Sequence, residues 1–157
     1  MIKNPWKIVP FILLALFCTL FIFSNSLQSG ESSGEMSGSV TEAINKLLGA
    51  ISPSLEVTHR FVRKAAHFCE FGVLSTLVSF TLYFFFAKSE GRELWCLLSI
   101  PISALVAACD ETIQLFVDGR GGSVVDVLID TSGACTAALI FLGITLIVKL
   151  HKKRTKV

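Results

Sequence analysis

The sequence predicts an all-α polytopic membrane protein: four transmembrane helices in one bundle, with a short amphipathic helix outside the membrane. Three observations predict this. The 157 residues are 52% hydrophobic with a mean hydropathy of +0.68, above the roughly 45–50% of a soluble domain. Four stretches approach or exceed the roughly 20 apolar residues needed to cross a hydrocarbon core, at about 6–23, 66–86, 94–116 and 124–148. Charge is concentrated at the ends of these stretches and in the segments between them. A single membrane domain over 1–157 is expected.

The first span follows Lys3 and Lys7 and ends in Ser24, Asn25 and Ser26. That layout also suits a signal peptide, but a retained helix is expected here. An intact N-terminus in mass spectrometry would exclude cleavage. Beyond it, Ser29-Gly30-Glu31-Ser32-Ser33-Gly34 has the composition of a flexible loop. Ser39-Val40-Thr41-Glu42 is a capping-box signature and predicts a helix over about 39–51. Val40, Ile44, Leu47, Leu48 and Ile51 make one face of it apolar, which suits the membrane interface or a lid over the bundle mouth. Pro53 fits the first turn of the next helix.

In the second span, Ala65, Cys69, Gly72, Thr76 and Ser79 form a stripe spaced 4, 3, 4 and 3, which lets helices approach closely in lipid. Lys88 to Glu93 makes a tight turn into the third span, and Asp118-Gly119-Arg120-Gly121-Gly122 another into the fourth. Ser123 followed by Asp126 reads as a cap at the start of that last helix. The cysteines, Cys18, Cys69, Cys96, Cys109 and Cys135, all fall within spans without metal-type spacing, and are expected to pack as small apolar residues.

Orientation follows from the cations. With residue 1 in the cytoplasm, the inner side holds Lys3, Lys7, Lys88, Arg92, Lys149, Lys152, Lys153, Arg154 and Lys156. The outer side holds Lys46, Arg60, Arg63, Lys64 and Arg120. The positive-inside rule therefore predicts both termini in the cytoplasm.

Each of the last three spans carries one polar stripe. Arg63, His67 and Glu70 share a face of the second, Asp110 and Gln114 a face of the third with Glu111 beside them, and Asp126 and Asp130 a face of the fourth. About twenty residues back from Phe86 reaches His67, about twenty back from Val148 reaches Ile129, and about twenty on from Leu94 reaches Ile113. Because the helices alternate in direction, all three clusters should converge at the outer boundary. Asp126 would be favoured in a first helical turn in any case, and Arg63 and Lys64 would snorkel to headgroups. Aligned ionisable groups at the edge of a span are nonetheless a functional-site signal.

As chemistry, His67 oriented by Glu70 is the acid/base candidate. The carboxylates Asp110, Glu111, Asp126 and Asp130 would repel one another, so that one is protonated near neutral pH or several share a hard cation such as Mg2+. Arg63 and Arg120 suit an anionic headgroup, with Lys64 and Ser123 beside them.

Three motifs in order, Arg63-Lys64-Ala65-Ala66-His67-Phe68-Cys69-Glu70, then Asp110-Glu111-Thr112-Ile113-Gln114, then Arg120 with Ser123, Asp126, Asp130 and Gly133, resemble those of the VanZ-like family of bacterial membrane proteins. Phe23-Ser24-Asn25-Ser26-Leu27-Gln28 is similar to that family's polar first-helix end. Two positions depart: Phe71 stands where the family commonly has Tyr, and Asp130 where it often has Asn. The resemblance implies an envelope protein whose namesake confers teicoplanin resistance, a phenotype that names no reaction.

On this reading His67, Glu70, Asp110, Glu111 and Gln114 form the reacting set, and Arg63, Lys64, Arg120, Ser123, Asp126 and Asp130 hold the substrate. The expected activity is on an envelope lipid or cell-wall component. The alternative is a binding or shielding protein for such a lipid or for an amphipathic antibiotic. Membrane lipids are the expected partners, and nucleic acid is not.

Overall fold

The computed structural model describes residues 5–52 and 54–155. A short 3-10 turn, Pro5–Lys7, leads into α1 (Val9–Ser26). Then come α2 (Gly30–Ile51), α3 (His59–Phe85), a 3-10 segment (Arg92–Leu98), α4 (Ser99–Gln114) and α5 (Val124–Arg154). Among the described residues, four helical stretches are long and apolar enough to cross a membrane: Val9–Ser26, His59–Phe85, Arg92–Gln114 and Val124–Arg154. The chain is a multi-pass membrane protein.

The apolar and polar surfaces are distributed as lipid demands. Leu13, Phe17, Leu20, Leu105, Leu128 and Ile147 are exposed, whereas Ser26, Ser75, Ser79, Ser99 and Ser103 are buried. With no water to drive apolar groups inward, helices in lipid are held by small residues and interhelical hydrogen bonds. Ser75 Oγ donates to the Ala134 carbonyl at 2.8 Å and lies 2.8 Å from Ser99 Oγ, to which Ser79 Oγ also donates at 3.1 Å. Below the polar end, Ile22, Phe71, Leu74 and Ala107 make a small apolar core. Gly133 fixes the crossing of α3 and α5, since a Cβ there would lie 2.2 Å from the Phe68 carbonyl oxygen.

Four expectations are corrected. First, α2 begins at Gly30, within the stretch expected to be a loop. Ser29 caps it, accepting from the Ser32 N–H at 3.3 Å, with Glu31 in the first turn, a favourable place for an acid. The Gly30 N–H donates to the Asp118 carbonyl at 3.0 Å. Ser39 sits mid-helix, its hydroxyl turned back to the Glu35 carbonyl at 3.3 Å.

Second, α3 begins at His59 with Thr58 as its cap, later than a start at Pro53, which lies outside the described residues, as do Lys3 and Lys156. Third, the third span is two pieces. Pro101 has no N–H with which to bond the Leu97 carbonyl, and the seven residues before α4 wind as 3-10 helix. At about 2.0 and 1.5 Å per residue, the two pieces still span roughly 38 Å. Fourth, Ser123 takes the cap position of α5 without a side-chain cap bond: the Asp126 N–H donates to the Ser123 carbonyl at 3.0 Å and the Ser123 N–H to Glu111 Oε2 at 2.7 Å, while the Asp126 carboxylate pairs with Lys64.

Candidate functional site

The last turn of α1, the first turns of α3, the last turn of α4 and the first turns of α5 meet at one end of the bundle. At the centre lies Asp110, fully buried. Its Oδ2 accepts from Ser26 Oγ at 2.8 Å and from Gln114 Nε2 at 3.0 Å. Gln114 Nε2 also reaches Ser26 Oγ at 3.2 Å and Glu111 Oε1 at 3.3 Å. Glu111 Oε2 accepts the Ser123 backbone N–H at 2.7 Å, tying α4 to the entry of α5. One helical turn thus makes Asp110, Glu111 and Gln114 a unit.

Across from it, His67 Nδ1 stands 3.7 Å from Asp130 Oδ2, beyond hydrogen-bond reach. Among the described residues, neither oxygen of the buried Asp130 has a hydrogen-bond partner, and neither do Glu70 Oε2, Asp110 Oδ1 or Arg120 Nε. Glu70 Oε1 accepts from Asn25 Nδ2 at 3.4 Å, and Arg120 Nη2 donates to the Asn25 carbonyl at 2.9 Å. Burial pushes the Arg120 pKa down, and the positive charge of Arg63 pushes it further, against the pull of Asp110 and Glu111. Lys64 pairs with Asp126 at the rim.

Two pockets open on this cluster and share Arg63 and His67. One is lined by Lys64, Glu111, Gln114, Asp126, Ile129 and Asp130. The other, of about 160 Å³, runs beneath α2, with Ser33, Met36, Ser37 and Val40 on one side and Glu70, Asn25 and Arg120 on the other. α2 therefore roofs the second pocket, and His67 lines both.

Residues 11–148 match the VanZ/LLP1 family. This chain belongs to that family. No curated protein and no solved structure gave a match.

The residues expected to form the site all lie at the same end of the bundle, though not in the expected pairings. Glu70 was expected to orient His67, but it is turned to Asn25, and Asp130 is the carboxylate facing the imidazole. The α3–α5 crossing at Gly133, one turn beyond Asp130, accounts for the change. Asn25 and Ser26 belong to the site without having been among the expected site residues. Their signal was a pair of polar residues closing an otherwise apolar helix. Phe71 is fully buried in the apolar core, so the missing phenol is a matter of packing beneath the site.

As for a shared cation, no group of three or more His, Cys, Asp or Glu among the described residues is arranged to hold a metal ion. Three of the four carboxylates are taken up by separate partners, Ser26 and Gln114 for Asp110, the Ser123 N–H for Glu111 and Lys64 for Asp126, and the fourth, Asp130, faces His67. The donor set does not fit a Mg2+ cage, and no step is assigned to one.

Proposed function

We propose that this VanZ/LLP1 protein is an enzyme of the outer membrane leaflet. It carries out acid–base chemistry on the anionic head group of an envelope lipid or lipid-linked cell-wall component, and this activity underlies glycopeptide resistance of the teicoplanin type. Both termini are cytoplasmic in this reading. The observation that carries it is His67, set between two pockets, 3.7 Å from a buried carboxylate whose oxygens have no other partner. Arg63, Lys64 and Arg120 stand around it.

The roles follow from position. Arg63 and Arg120 grip the anion, since guanidinium groups fork onto phosphate or carboxylate. His67 moves the proton, and substrate binding closes the gap to Asp130, as catalytic hydrogen bonds often tighten only when substrate binds. Asp110, Glu111 and Gln114 hold the wall opposite, and α2 keeps the head group inside.

The test is purified wild type in lipid incubated with envelope lipid extract, followed by mass spectrometry. The expected result is a lipid altered by wild type and left unaltered by Asp110→Asn. A lipid bound but unaltered by wild type would overturn the enzymatic reading.

The alternative is a binding or shielding protein, favoured by one observation: Arg63 lines three pockets, which suits anion recognition without chemistry. In that case His67→Gln is tolerated, while Arg63→Ala and Arg120→Ala abolish binding.

A further inference from the structure

The opposite end of the bundle holds a second charged cavity, unconnected with the His67 site. The last turns of α3, the 3-10 segment and the last turns of α5 enclose about 330 Å³, lined by Tyr83, Arg92, Glu93, Lys149, Lys152 and Lys153 among others. Four of these six residues are cations and one is a carboxylate.

Two of the cations are held in place. The Arg92 guanidinium lies 4.3 Å from the Tyr83 ring centroid, and its Nη2 donates to the Tyr83 hydroxyl at 2.7 Å. Lys149 Nζ donates to Glu93 Oε2 at 2.9 Å, and Arg92 Nε lies 3.9 Å from Glu93 Oε1. Glu93 is buried and serves as the post to which both are tied. Lys152 and Lys153 have no acidic partner among the described residues.

A helix C-terminus favours cations, which accounts for lysines on α5. It does not account for Arg92, which comes from a different element and is stacked so as to face the same cavity. A topological signal needs cations in the loops but no cavity to hold them. The arrangement is that of an anion site with two anchored cations and two without an acidic partner among the described residues.

Its surroundings select the anion. Ile144, Ile147 and Val148 on α5 and Phe85 and Leu94 on the other elements of this end are exposed apolar residues. Phe86 and Trp95 stack at 4.1 Å, and Trp95 with Tyr83 places at this end the residue types enriched at membrane interfaces. A small soluble anion gains nothing from such surroundings, whereas acyl chains would lie along them. We propose that this cavity binds the phosphate-bearing head group of an anionic membrane phospholipid. Basic pockets between transmembrane helices are the usual form of such sites.

The experiment is native mass spectrometry of the full chain in neutral detergent. It is titrated with phosphatidylglycerol, with phosphatidylcholine of the same chains, and with inorganic phosphate as competitor. Wild type should hold phosphatidylglycerol in preference to phosphatidylcholine. Lys152→Gln/Lys153→Gln should weaken that binding about tenfold or more, and Arg92→Gln should remove one bound lipid. Lys88→Gln, which removes an exposed cation from the same end outside the cavity, should leave the binding unchanged.

Equal occupancy by the two lipids would overturn the proposal. So would displacement by inorganic phosphate at matching concentration, which would make this a soluble-anion site. An equal loss in Lys88→Gln would reduce the effect to diffuse surface attraction and overturn it as well. If Arg92→Gln fails to fold, the double lysine variant decides alone, because both side chains are exposed at the end of α5.

Discussion

Two polar layers cross the interior of this bundle, separated along α3 by about 7.5 Å at their nearest, from Glu70 to Ser75, and they are built on different principles. In the deeper one, Ser75, Ser79 and Ser99 are fully buried, and all three are hydrogen-bonded to one another or to a carbonyl. In the outer one, Glu70, Asp110 and Asp130 leave four carboxylate oxygens without a partner among the described residues. The serine layer is adhesive, because neutral hydroxyls can satisfy one another and the backbone at little desolvation cost. The charged layer is costly by comparison, since ionisable groups at the edge of a span require compensation that this fold supplies only in part.

The comparison is broken most directly at His67. If the charged layer performs chemistry, His67→Ala should reduce lipid conversion by about 10²- to 10⁴-fold, the usual contribution of a general acid or base, with membrane insertion unaffected. Retained conversion would move His67 into the structural class. Next comes Gly133→Ala, which lies between the layers. Its new Cβ would meet the Phe68 carbonyl oxygen at 2.2 Å, so α3 and α5 must separate. The expected loss is about 1–3 kcal/mol of stability, read by denaturant titration in detergent, together with reduced activity as His67 and Asp130 move apart.

A matched pair then sharpens the contrast. Asp110→Asn keeps an acceptor for Ser26 and Gln114 while removing a buried charge. It should raise stability by about 1 kcal/mol, since replacing a poorly compensated buried charge is often stabilising, and it should abolish lipid conversion. Ser75→Ala should do the reverse, lowering stability by about 0.6–1 kcal/mol and leaving conversion intact. Opposite signs on the two readouts are the prediction; the same sign on both would merge the two layers into one.

Much of this arrangement was legible in the chain, and the reasons can be named. Hydropathy and length locate four spans because lipid imposes both. Alternating direction with a 3.6-residue period brings Arg63, His67, Glu70, Asp110, Gln114, Asp126 and Asp130 to one end. Pairing was not legible, because it depends on the depth of helix crossings. Glu70 shares a face of α3 with His67, yet two side chains pointing the same way from one helix reach different neighbours. The close approach allowed by Gly133 is a tertiary fact that puts Asp130 opposite the imidazole. The 3-10 segment was likewise hidden, because apolar content reads the same through a proline.

The smallest effect tests the start of α2, where the capping-box signature points to Ser39 and the fold places the cap at Ser29 instead. Ser29 accepts from the Ser32 N–H, and Gly30 lies against the Gly119 backbone, where any side chain would clash at 2.2 Å. That contact seats the helix over the pocket and makes the first turn at Ser29 worth forming. Ser29→Ala should therefore cost about 1 kcal/mol and loosen the roof, seen as faster amide hydrogen exchange over 30–38. Ser39→Ala, in mid-helix, exchanges a hydroxyl that bonds back to Glu35 for the best helix former, and should be neutral or stabilising by a few tenths of a kcal/mol. If Ser39→Ala is instead the costlier change, α2 starts where its capping box suggested, and the pocket beneath residues 33–37 loses its cover.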